Sequence, residues 1–280
     1  LPAVLVQQRE AVIGPVSRWV QQQCGPAPFF LGVSGAQGSG KSTFCRLLAT
    51  WLQAEHDLKT VVVSMDDVYL RRAERQGLAE TVHPLCAIRG VPGTHDVPLA
   101  RSVLEAFATA SSDSHTDVPR FDKGLDDRLP REEWERFIGR PDVVLFEGWC
   151  MGATPPPPSK VPTNTREARD DPEGVWRRWS DEALLADYGP LFDQMNAMVM
   201  IQVPSMDTVR AGRWKQEQSL WAPGADPSPC RMTQAEVNDF VDLFERLTTH
   251  ILATLPEQAD VLIAREADFR HRLVRLPGHP

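Results

Sequence analysis

The feature that most constrains the fold is a glycine-rich segment near the start of the chain. Residues 35–42 read Gly-Ala-Gln-Gly-Ser-Gly-Lys-Ser and match the pattern G-x-x-x-x-G-K-[ST]. Glycines let backbone N–H groups approach an anion closely, the lysine reaches outer phosphates, and the final hydroxyl can ligate Mg²⁺. An apolar run, Phe29–Val33, precedes the segment, and apolar residues at helical spacing follow it. The order strand, glycine-rich loop, helix places bound phosphate at a helix N-terminus, whereas the alternative is an ordinary flexible turn.

The rest of the chain alternates between apolar strands and amphipathic helices. The candidate strands are Phe29–Ser34, Thr60–Met65, Asp142–Glu147, Ala197–Val203 and Asp260–Ala264. Most are continuous apolar runs, which is typical of parallel strands covered on both faces. Asp96 with Pro98 predicts one helix start, and Thr233 with Glu236 forms a capping-box pattern for another. This alternation predicts an α/β fold with a three-layer, doubly wound, mostly parallel sheet.

The organisation of the chain favours one domain over 1–280, because no long polar linker divides it. Residues 1–28 are expected to form an N-terminal helical segment with a break at Gly14-Pro15. Ser111–Asp117 is expected to be a polar connector. Four consecutive prolines open Ala153–Gly174, which predicts an exposed, charged insertion over 153–180.

Composition excludes several classes of function. The 280 residues carry a formal net charge of −8, which argues against a nucleic-acid binder with a basic face. No apolar run reaches the roughly 20 residues needed to cross a bilayer. The five cysteines include no C-x-x-C pair, which favours reduced thiols and a cytoplasmic location without a zinc site. The first residue is Leu1 and not Met, so the possibility of a removed targeting peptide stays open.

Two acidic residues directly follow the second candidate strand. Asp66 and Asp67 lie where the carboxyl ends of parallel strands bind ligands. A carboxylate there could accept a proton from a hydroxyl group that attacks the terminal phosphate. The alternative is that both acids only cap a helix.

Glu147 ends another apolar candidate strand. An acid at this position holds Mg²⁺ or its water in many proteins with a phosphate loop, although Asp is the usual residue. We expect Ser42 and Glu147 to form the metal site. A structural salt bridge is the alternative role for Glu147.

Basic residues in two further segments are candidates for contacts to an acidic small molecule. The segments are Arg89–Asp96, which contains His95, and Pro119–Gly124, which contains Arg120 and Lys123. Fixed cations could hold a carboxylate through bidentate hydrogen bonds. Structural roles are open for each: Asp96 as a helix cap, His95 as a hydrogen-bonded residue, and the cations as a solvated cluster.

A basic helical segment follows the fourth candidate strand and contains Arg210, Arg213 and Lys215. Arg210 and Arg213 are three residues apart, so they share a helix face. Such a helix could close over a nucleotide as a lid, within a region over 205–232, or could simply be a solvated face.

Several motifs together resemble the phosphoribulokinase/uridine kinase/pantothenate kinase group of P-loop kinases, and most closely the D-glycerate 3-kinase family. They are GVSGAQGSGKST, SMDDVYL, RGVPGTHD, PRFDKG with the following DDR, VVLFEGW and EVNDFV, in this order. The resemblance implies the P-loop nucleoside triphosphate hydrolase fold. It also implies phosphorylation of a small hydroxy acid, with ATP and Mg²⁺ as cofactors.

The resemblance also implies roles for individual residues, although Val68 stands where relatives usually have Phe. The ATP-binding residues would be Gly35, Ala36, Gln37, Gly38, Ser39, Gly40, Lys41, Ser42 and Thr43. The catalytic residues would be Asp66 as general base with Lys41, Arg210 and Arg213. The candidate acceptor contacts are Asp67, Tyr69, Arg89, His95, Asp96, Arg120 and Lys123.

Three hypotheses of function follow. The first is a kinase whose acceptor carries a carboxylate, most simply D-glycerate. The second keeps the reaction but changes the acceptor to pantothenate, a nucleoside or a sugar phosphate. The third is a non-catalytic ATP-binding regulatory protein, although binding alone needs no base. A guanine-specific switch is disfavoured because the chain has no N-K-x-D segment, and the oligomeric state is left open.

Overall fold

A central sheet with helices on both faces organises the computed structural model, which describes residues 9–219, 232–266 and 268–278. The strands are β1 (Phe29–Gly35), β2 (Thr60–Ser64), β3 (His115–Val118), β4 (Phe121–Asp122), β5 (Asp127–Arg128), β6 (Glu135–Ile138), β7 (Val143–Gly148), β8 (Ala197–Gln202), β9 (Val261–Arg265) and β10 (His271–Arg275). The helices are α1 (Gly14–Gln23), α2 (Lys41–His56), α3 (Arg72–Thr81), α4 (Val97–Ala108), α5 (Thr165–Asp170), α6 (Val175–Ala183), α7 (Gly189–Phe192), α8 (Met206–Ser219) and α9 (Gln234–Gln258).

The central sheet has the order β10-β9-β8-β1-β7-β2 within the described ranges. All pairs are parallel except β9 with β10. Every residue of β1 and β7 is buried, as expected for strands covered on both faces. Because β1, β2 and β7 run in the same direction, their carboxyl ends meet at one edge, and the register places Ser64 beside Glu147.

Two apolar cores separate the three layers. One lies between the sheet and helices α4 and α9, and includes Phe107 and Leu247. The other lies against α1 and α2 and includes Val16, Phe44 and Leu48. The α/β, three-layer, mostly parallel architecture is therefore confirmed. The single-domain organisation over 1–280 stays a prediction.

Both sequence signals for helix starts are confirmed. The Asp96 carboxylate accepts a hydrogen bond from the Leu99 N–H at 3.0 Å and so caps α4. Thr233 and Glu236 form the reciprocal capping box at the start of α9. Each cap satisfies backbone donors that have no partner inside the helix.

Three predictions from the sequence need correction. The helical segment does not break at Gly14-Pro15 but changes there from a π turn, Arg9–Ile13, to α1, since proline is tolerated in a first turn. The connector Ser111–Asp117 is not all loop, because its last residues begin β3, which pairs with β6. Strand β10 is missing from the predicted set, because its charged residues give no apolar run.

Residues 153–180, which the sequence predicts to be an exposed insertion, are mostly exposed in their first part and partly buried beyond it. Most of residues 154–165 are exposed. Beyond them the side chains of Glu167 and Asp171 are each 1% exposed, and the guanidinium of Arg177 contacts both. The Arg177 Nε donates to Asp171 at 3.1 Å, and this ion cluster anchors α5 and α6 to the core.

Two sequence expectations about class can be compared with the structure. Among the helices that the structure describes, none is long and apolar enough to span a membrane. The four cysteines with described positions, Cys24, Cys45, Cys86 and Cys150, are free thiols, whereas Cys230 lies outside the described residues.

The buried ion cluster predicts a large stability effect. Arg177→Met should lower the free energy of unfolding by about 3–5 kcal/mol, because two buried carboxylates lose the cation that they share. Urea denaturation followed by circular dichroism measures the change. The matched control is Arg178→Met, whose exposed side chain should matter by less than about 0.5 kcal/mol. A loss in Arg177→Met no larger than that of the control would contradict the assignment.

Candidate active site

The glycine-rich loop between β1 and α2 has the backbone shape that binds phosphate. Gly38 and Gly40 have φ angles of 71° and 93°, in the left-handed region that side chains disfavour. The loop ends at the N-terminus of α2, where backbone N–H groups and the helix dipole attract anions. The sequence prediction thus has the required local geometry.

Lys41 opens α2 and lies among acidic groups. Its Nζ is 3.8 Å from Glu147 Oε2, and its side chain is 12% exposed. Burial on its own would lower the pKa of the Lys41 ammonium, but the nearby carboxylates of Glu147 and Asp66 raise it overall. Lys41 is therefore a cation at neutral pH. Asp66 is thus near enough to the Lys41 ammonium to contribute to this shift.

A chain of hydrogen bonds connects the phosphate loop with the acids after β2. The hydroxyl groups of Ser42 and Ser64 both donate to Glu147 Oε1, at 2.7 Å and 3.1 Å. The Ser64 oxygen in turn accepts from the Asp66 N–H at 3.2 Å. Ser64, and neither Asp66 nor Asp67, is the cap of the short 3₁₀ turn Met65–Val68. The carboxylates of Asp66 and Asp67 are thus available for other partners.

Asp66 is held as a carboxylate. The Tyr69 hydroxyl donates to Oδ1 at 2.9 Å, and the Lys123 ammonium donates to Oδ2 at 2.6 Å. Burial favours the neutral acid, but Lys123, Lys41 and these hydrogen bonds outweigh it and hold the pKa of Asp66 well below its usual range. The Lys123 side chain is 61% exposed, so this partner can be displaced more easily than Tyr69.

Tyr69, which donates to Asp66, packs against two other rings. Its ring stacks on the His95 imidazole, with ring centroids 4.5 Å apart, and makes an edge contact with Phe121 at 5.3 Å. Tyr69 and His95 also share a backbone β-bridge. Three segments far apart in the sequence, around Tyr69, His95 and Phe121, therefore form one surface next to the acid.

The partners of His95 fix its tautomer. The Gly93 N–H donates to the Tyr188 hydroxyl oxygen at 2.9 Å, so the Tyr188 proton is left to bond His95 Nδ1 at 2.7 Å. Nδ1 is the acceptor, and Nε2 carries the hydrogen. Nε2 is buried and has no hydrogen-bond partner among the residues with described positions. Burial, only partly offset by Asp66, lowers the pKa of His95 to about 4, so the ring is neutral at pH 7.

Asp67 and Arg120 contact each other. Asp67 accepts from Arg120 Nη1 at 3.0 Å and from the Phe121 N–H at 3.1 Å. Burial raises the pKa of Asp67, although these two hydrogen-bond partners oppose the shift. Arg120 also pairs with Glu135. These contacts attach the segment of Phe121 and Lys123 to the turn that carries Asp66.

Arg89 and Asp96 also have protein partners. Asp96, besides capping α4, pairs with Arg128 at 2.8 Å. Arg89 pairs with Asp126 and lies over the Phe121 ring, with its Cζ 5.4 Å from the centroid. Both residues therefore make ion pairs with the short segment 126–128.

The two arginines of the lid-like region have carboxylate partners on α9 and on α8 itself. Arg210 pairs with Asp242 at 2.8 Å and Glu245 at 3.1 Å, and Arg213 pairs with Glu217 at 3.1 Å. The contact between α8 and the loop is made by backbone. A Cβ placed on Gly38 would lie 2.8 Å from the carbonyl carbon of Gly212. Of the region 205–232, residues 220–231 lie outside the described residues.

The residues around Glu147 fit a Mg²⁺ site of the kind completed by phosphates. Glu147 Oε2 is buried and accepts no hydrogen bond within the described ranges. No group of three or more His, Cys, Asp or Glu side chains that could hold a metal occurs in the described part of the chain. Mg²⁺ commonly takes one or two carboxylate ligands together with substrate phosphates and water. Ser42 and Glu147 supply such a donor set.

Sequence reasoning missed several residues of the site. The position of Ser64 at the end of β2 is a signal that could have identified it. Tyr188 and His271 lie outside every motif in the sequence. The His271 Nε2 nevertheless donates to the Ser39 carbonyl at 2.9 Å, so β10 contacts the phosphate loop.

The phosphate loop, the acid after β2 and the carboxylate at the end of β7 together form the candidate active site of a P-loop kinase. No family model matches the chain. An uncharacterised kinase of Schizosaccharomyces pombe, mug58, is 32% identical over 260 residues, which are 88% of this chain and 90% of that protein. The chloroplastic D-glycerate 3-kinase of Arabidopsis thaliana is 30% identical over 78% of this chain and 46% of its own length.

A solved structure has the same fold. D-glycerate 3-kinase from Cryptococcus neoformans superposes with a TM-score of 0.72 at 23% identity, covering 94% of this chain and 99% of that one. The chain belongs to the D-glycerate 3-kinase-like family, in the phosphoribulokinase/uridine kinase/pantothenate kinase group of P-loop kinases.

The buried neutral His95 predicts a pH dependence of stability. Its pKa is lower in the folded chain, about 4, than the usual value near 6.5, so only the unfolded chain is protonated between these values. The free energy of unfolding contributed by His95 is therefore complete above about pH 6.5. It is lost as pH falls toward 4, at up to about 1.4 kcal/mol per pH unit.

Urea unfolding of wild type and His95→Gln at pH 7.5 and pH 4.5 tests this dependence. The stability advantage of wild type over His95→Gln should shrink at the lower pH. His115→Gln, which changes an exposed histidine, should track wild type at both pH values. A constant difference between wild type and His95→Gln would show that His95 is not held neutral.

Proposed function

We propose that this chain is an ATP- and Mg²⁺-dependent kinase that phosphorylates a hydroxyl group of a small hydroxy acid, D-glycerate in the first instance. The observation that carries the proposal is the hydrogen-bond chain from Ser42 through Glu147 and Ser64 to Asp66. It fixes the position of a proton acceptor relative to a phosphate-binding loop, which nucleotide binding alone would not need. The family relationship to D-glycerate 3-kinases supports the choice of acceptor.

The triphosphate would be held by the backbone of residues 35–43 and by Lys41, whose cationic state suits charge on the outer phosphates. Ser42 and Glu147 would hold Mg²⁺, which neutralises charge on the phosphates when bound. We also propose that α8 acts as a lid. Arg210 and Arg213 would then exchange their carboxylate partners for the transferring phosphoryl group.

Phosphoryl transfer requires one proton acceptor. The acceptor oxygen forms a bond to the γ-phosphorus while the bond from that phosphorus to the bridging oxygen of ADP breaks, and the hydroxyl proton passes to Asp66. A carboxylate with a low pKa is a weak base, but it is always ionised at neutral pH. In a loose transition state the attacking oxygen loses its proton late, so orientation by Asp66 matters more than base strength.

An anionic acceptor explains how Asp66 becomes accessible. Asp66 Oδ2 is covered by Lys123, a mostly exposed side chain. A carboxylate on the acceptor would compete with Asp66 for the Lys123 ammonium and uncover Oδ2 for the hydroxyl group. The neutral His95 would offer its Nε2–H to the same molecule, as a donor without charge. The Lys123 cation favours a small hydroxy acid over a neutral acceptor.

We place the kinase in a reducing compartment such as the cytoplasm. The supporting observation is that Cys45 and Cys150, both buried, are free thiols, and burial raises the pKa of each. Protonated, buried thiols are unreactive toward disulfide exchange.

The central prediction concerns Asp66. In a coupled assay of ADP release with ATP, Mg²⁺ and D-glycerate, Asp66→Asn should lower kcat at least about a hundredfold, because the amide cannot accept the hydroxyl proton. Asp113→Asn, in an exposed loop, should leave kcat unchanged. Activity of Asp66→Asn within a few-fold of wild type would remove the proton acceptor from the mechanism.

Lys123→Met separates binding from chemistry. We expect the KM for D-glycerate to rise about tenfold, because a hydrogen bond to a charged group is lost. The pKa of Asp66 should also rise, since one cation no longer opposes burial, so the acid limb of the kcat/KM profile should move to higher pH. Steady-state kinetics over a pH series measure both effects.

The control for this variant is Lys160→Met, whose side chain lies in the exposed part of the insertion. It should reproduce the wild-type KM and pH profile. An unchanged KM in Lys123→Met would mean that the acceptor carboxylate binds elsewhere.

A further inference from the structure

Arg265, the last residue of β9, is a buried cation that has no carboxylate partner among the residues with described positions. The residue is 2% exposed. Its Nη1 and Nη2 are buried and have no hydrogen-bond partner among the residues that the structure describes. Burial lowers the pKa of the guanidinium. Buried charges are normally paired and hydrogen-bonded, because desolvation is costly, so this residue needs an explanation.

The guanidinium lies beside the phosphate loop. A Cβ placed on Gly212 of α8 would be 3.4 Å from Arg265 Nη2 and 3.3 Å from the Gly38 carbonyl oxygen. Arg265, the loop and α8 therefore meet at one point. The turn from β9 to β10 contacts the loop a second time through His271, which donates to the Ser39 carbonyl. The cation is thus built into the rim of the anion site.

The neighbours of Arg265 increase the positive charge. Its Cζ lies 4.1 Å from the centroid of the Phe269 ring, and the Lys215 Nζ lies 3.9 Å from the same centroid. By contrast, two exposed arginines of this hairpin have acidic partners, since Arg270 pairs with Asp268 and Arg272 pairs with Glu266. These two exposed cations have carboxylate partners while the buried Arg265 has none in the described part of the chain, which is the reverse of what stability favours.

We propose that Arg265 binds the phosphate chain of the nucleotide that the loop holds, with Nη1 and Nη2 as the donors. The planar guanidinium presents parallel N–H groups that match two phosphate oxygens, which a lysine cannot do. The inference rests on the proposed function only in that a nucleotide occupies the loop. It concerns a residue outside the loop, the acid and the lid arginines.

Calorimetric titration of the full chain with three probes, in the presence of Mg²⁺, tests the assignment. The probes are inorganic tripolyphosphate, ADP and adenosine. Arg265→Met should raise the Kd for tripolyphosphate and for ADP about tenfold to a hundredfold, because a charge-assisted hydrogen bond is lost. The Kd for adenosine should be unchanged. Arg272→Met, in the same hairpin, should bind all three probes as wild type does.

The melting temperature of the ligand-free chain provides a second readout. Arg265→Met should melt at or above the wild-type temperature, because an unpaired buried charge is replaced by an apolar side chain of similar length. A structural arginine would behave in the opposite way, with a lower melting temperature and unchanged affinities. Should the Met variant not fold, Arg265→Lys is the alternative variant. It keeps the positive charge but loses the two parallel N–H groups of the guanidinium, so the Kd for tripolyphosphate should still rise about threefold or more.

Other outcomes overturn the assignment. Equal affinity of wild type and Arg265→Met for tripolyphosphate would exclude the phosphate contact. A loss of affinity for adenosine alone would show that Arg265 contacts the nucleoside instead. A wild-type chain that binds neither ADP nor tripolyphosphate would reject both this inference and the proposed function. Intact nucleotide binding without turnover of any acceptor would reject the proposed function and leave Arg265 in place.

Discussion

The site depends on one carboxylate, Glu147, at the end of the buried strand β7. Because β7 lies between β1 and β2 in parallel register, its last side chain reaches the residues that follow both neighbours. Glu147 Oε1 accepts hydrogen bonds from Ser42 on one side and Ser64 on the other. The phosphate loop and the turn that carries Asp66 are therefore fixed to each other through the sheet, and the remaining Glu147 oxygen faces Lys41.

The charges of the cleft set the protonation states of Lys41, Asp66 and His95 at neutral pH. Burial opposes charge on Lys41 and Asp66, but Glu147 and Asp66 keep Lys41 cationic, and Lys123 and Lys41 keep Asp66 anionic. His95 is kept neutral by burial and by the hydrogen bond from Tyr188. Such preorganisation costs stability in the empty protein, and on our proposal Arg265, buried without a hydrogen-bond partner for Nη1 and Nη2 among the described residues, is an example.

Sequence predicts the parts of the site that rest on local motifs. Lys41, Ser42, Asp66 and Glu147 each follow an apolar strand, and parallel strands bring such positions to one edge of the sheet. The central strands were found for the same reason, because continuous burial leaves an apolar run. The architecture and the family are confirmed, whereas the residue roles stay predictions that the geometry supports.

The rest could not be predicted because its partners are distant in the chain. Arg210 and Arg213 were expected to face the phosphates, yet the acids that hold them lie on α9 or a turn away. The second half of the proline-rich insertion is buried through charged residues, which no apolar pattern reveals. Tyr188 and Arg265 stand in ordinary sequence, and only the fold brings them to the site.

A crystal structure of the wild-type chain with Mg²⁺, a non-hydrolysable ATP analogue and D-glycerate examines the convergence of loop and acid most directly. We expect one acceptor hydroxyl oxygen within hydrogen-bond distance of Asp66 and about 3–3.5 Å from the γ-phosphorus, with Lys123 moved to the acceptor carboxylate. An acceptor bound away from Asp66, or a γ-phosphate that no acceptor oxygen can approach from the side of Asp66, would contradict the mechanism.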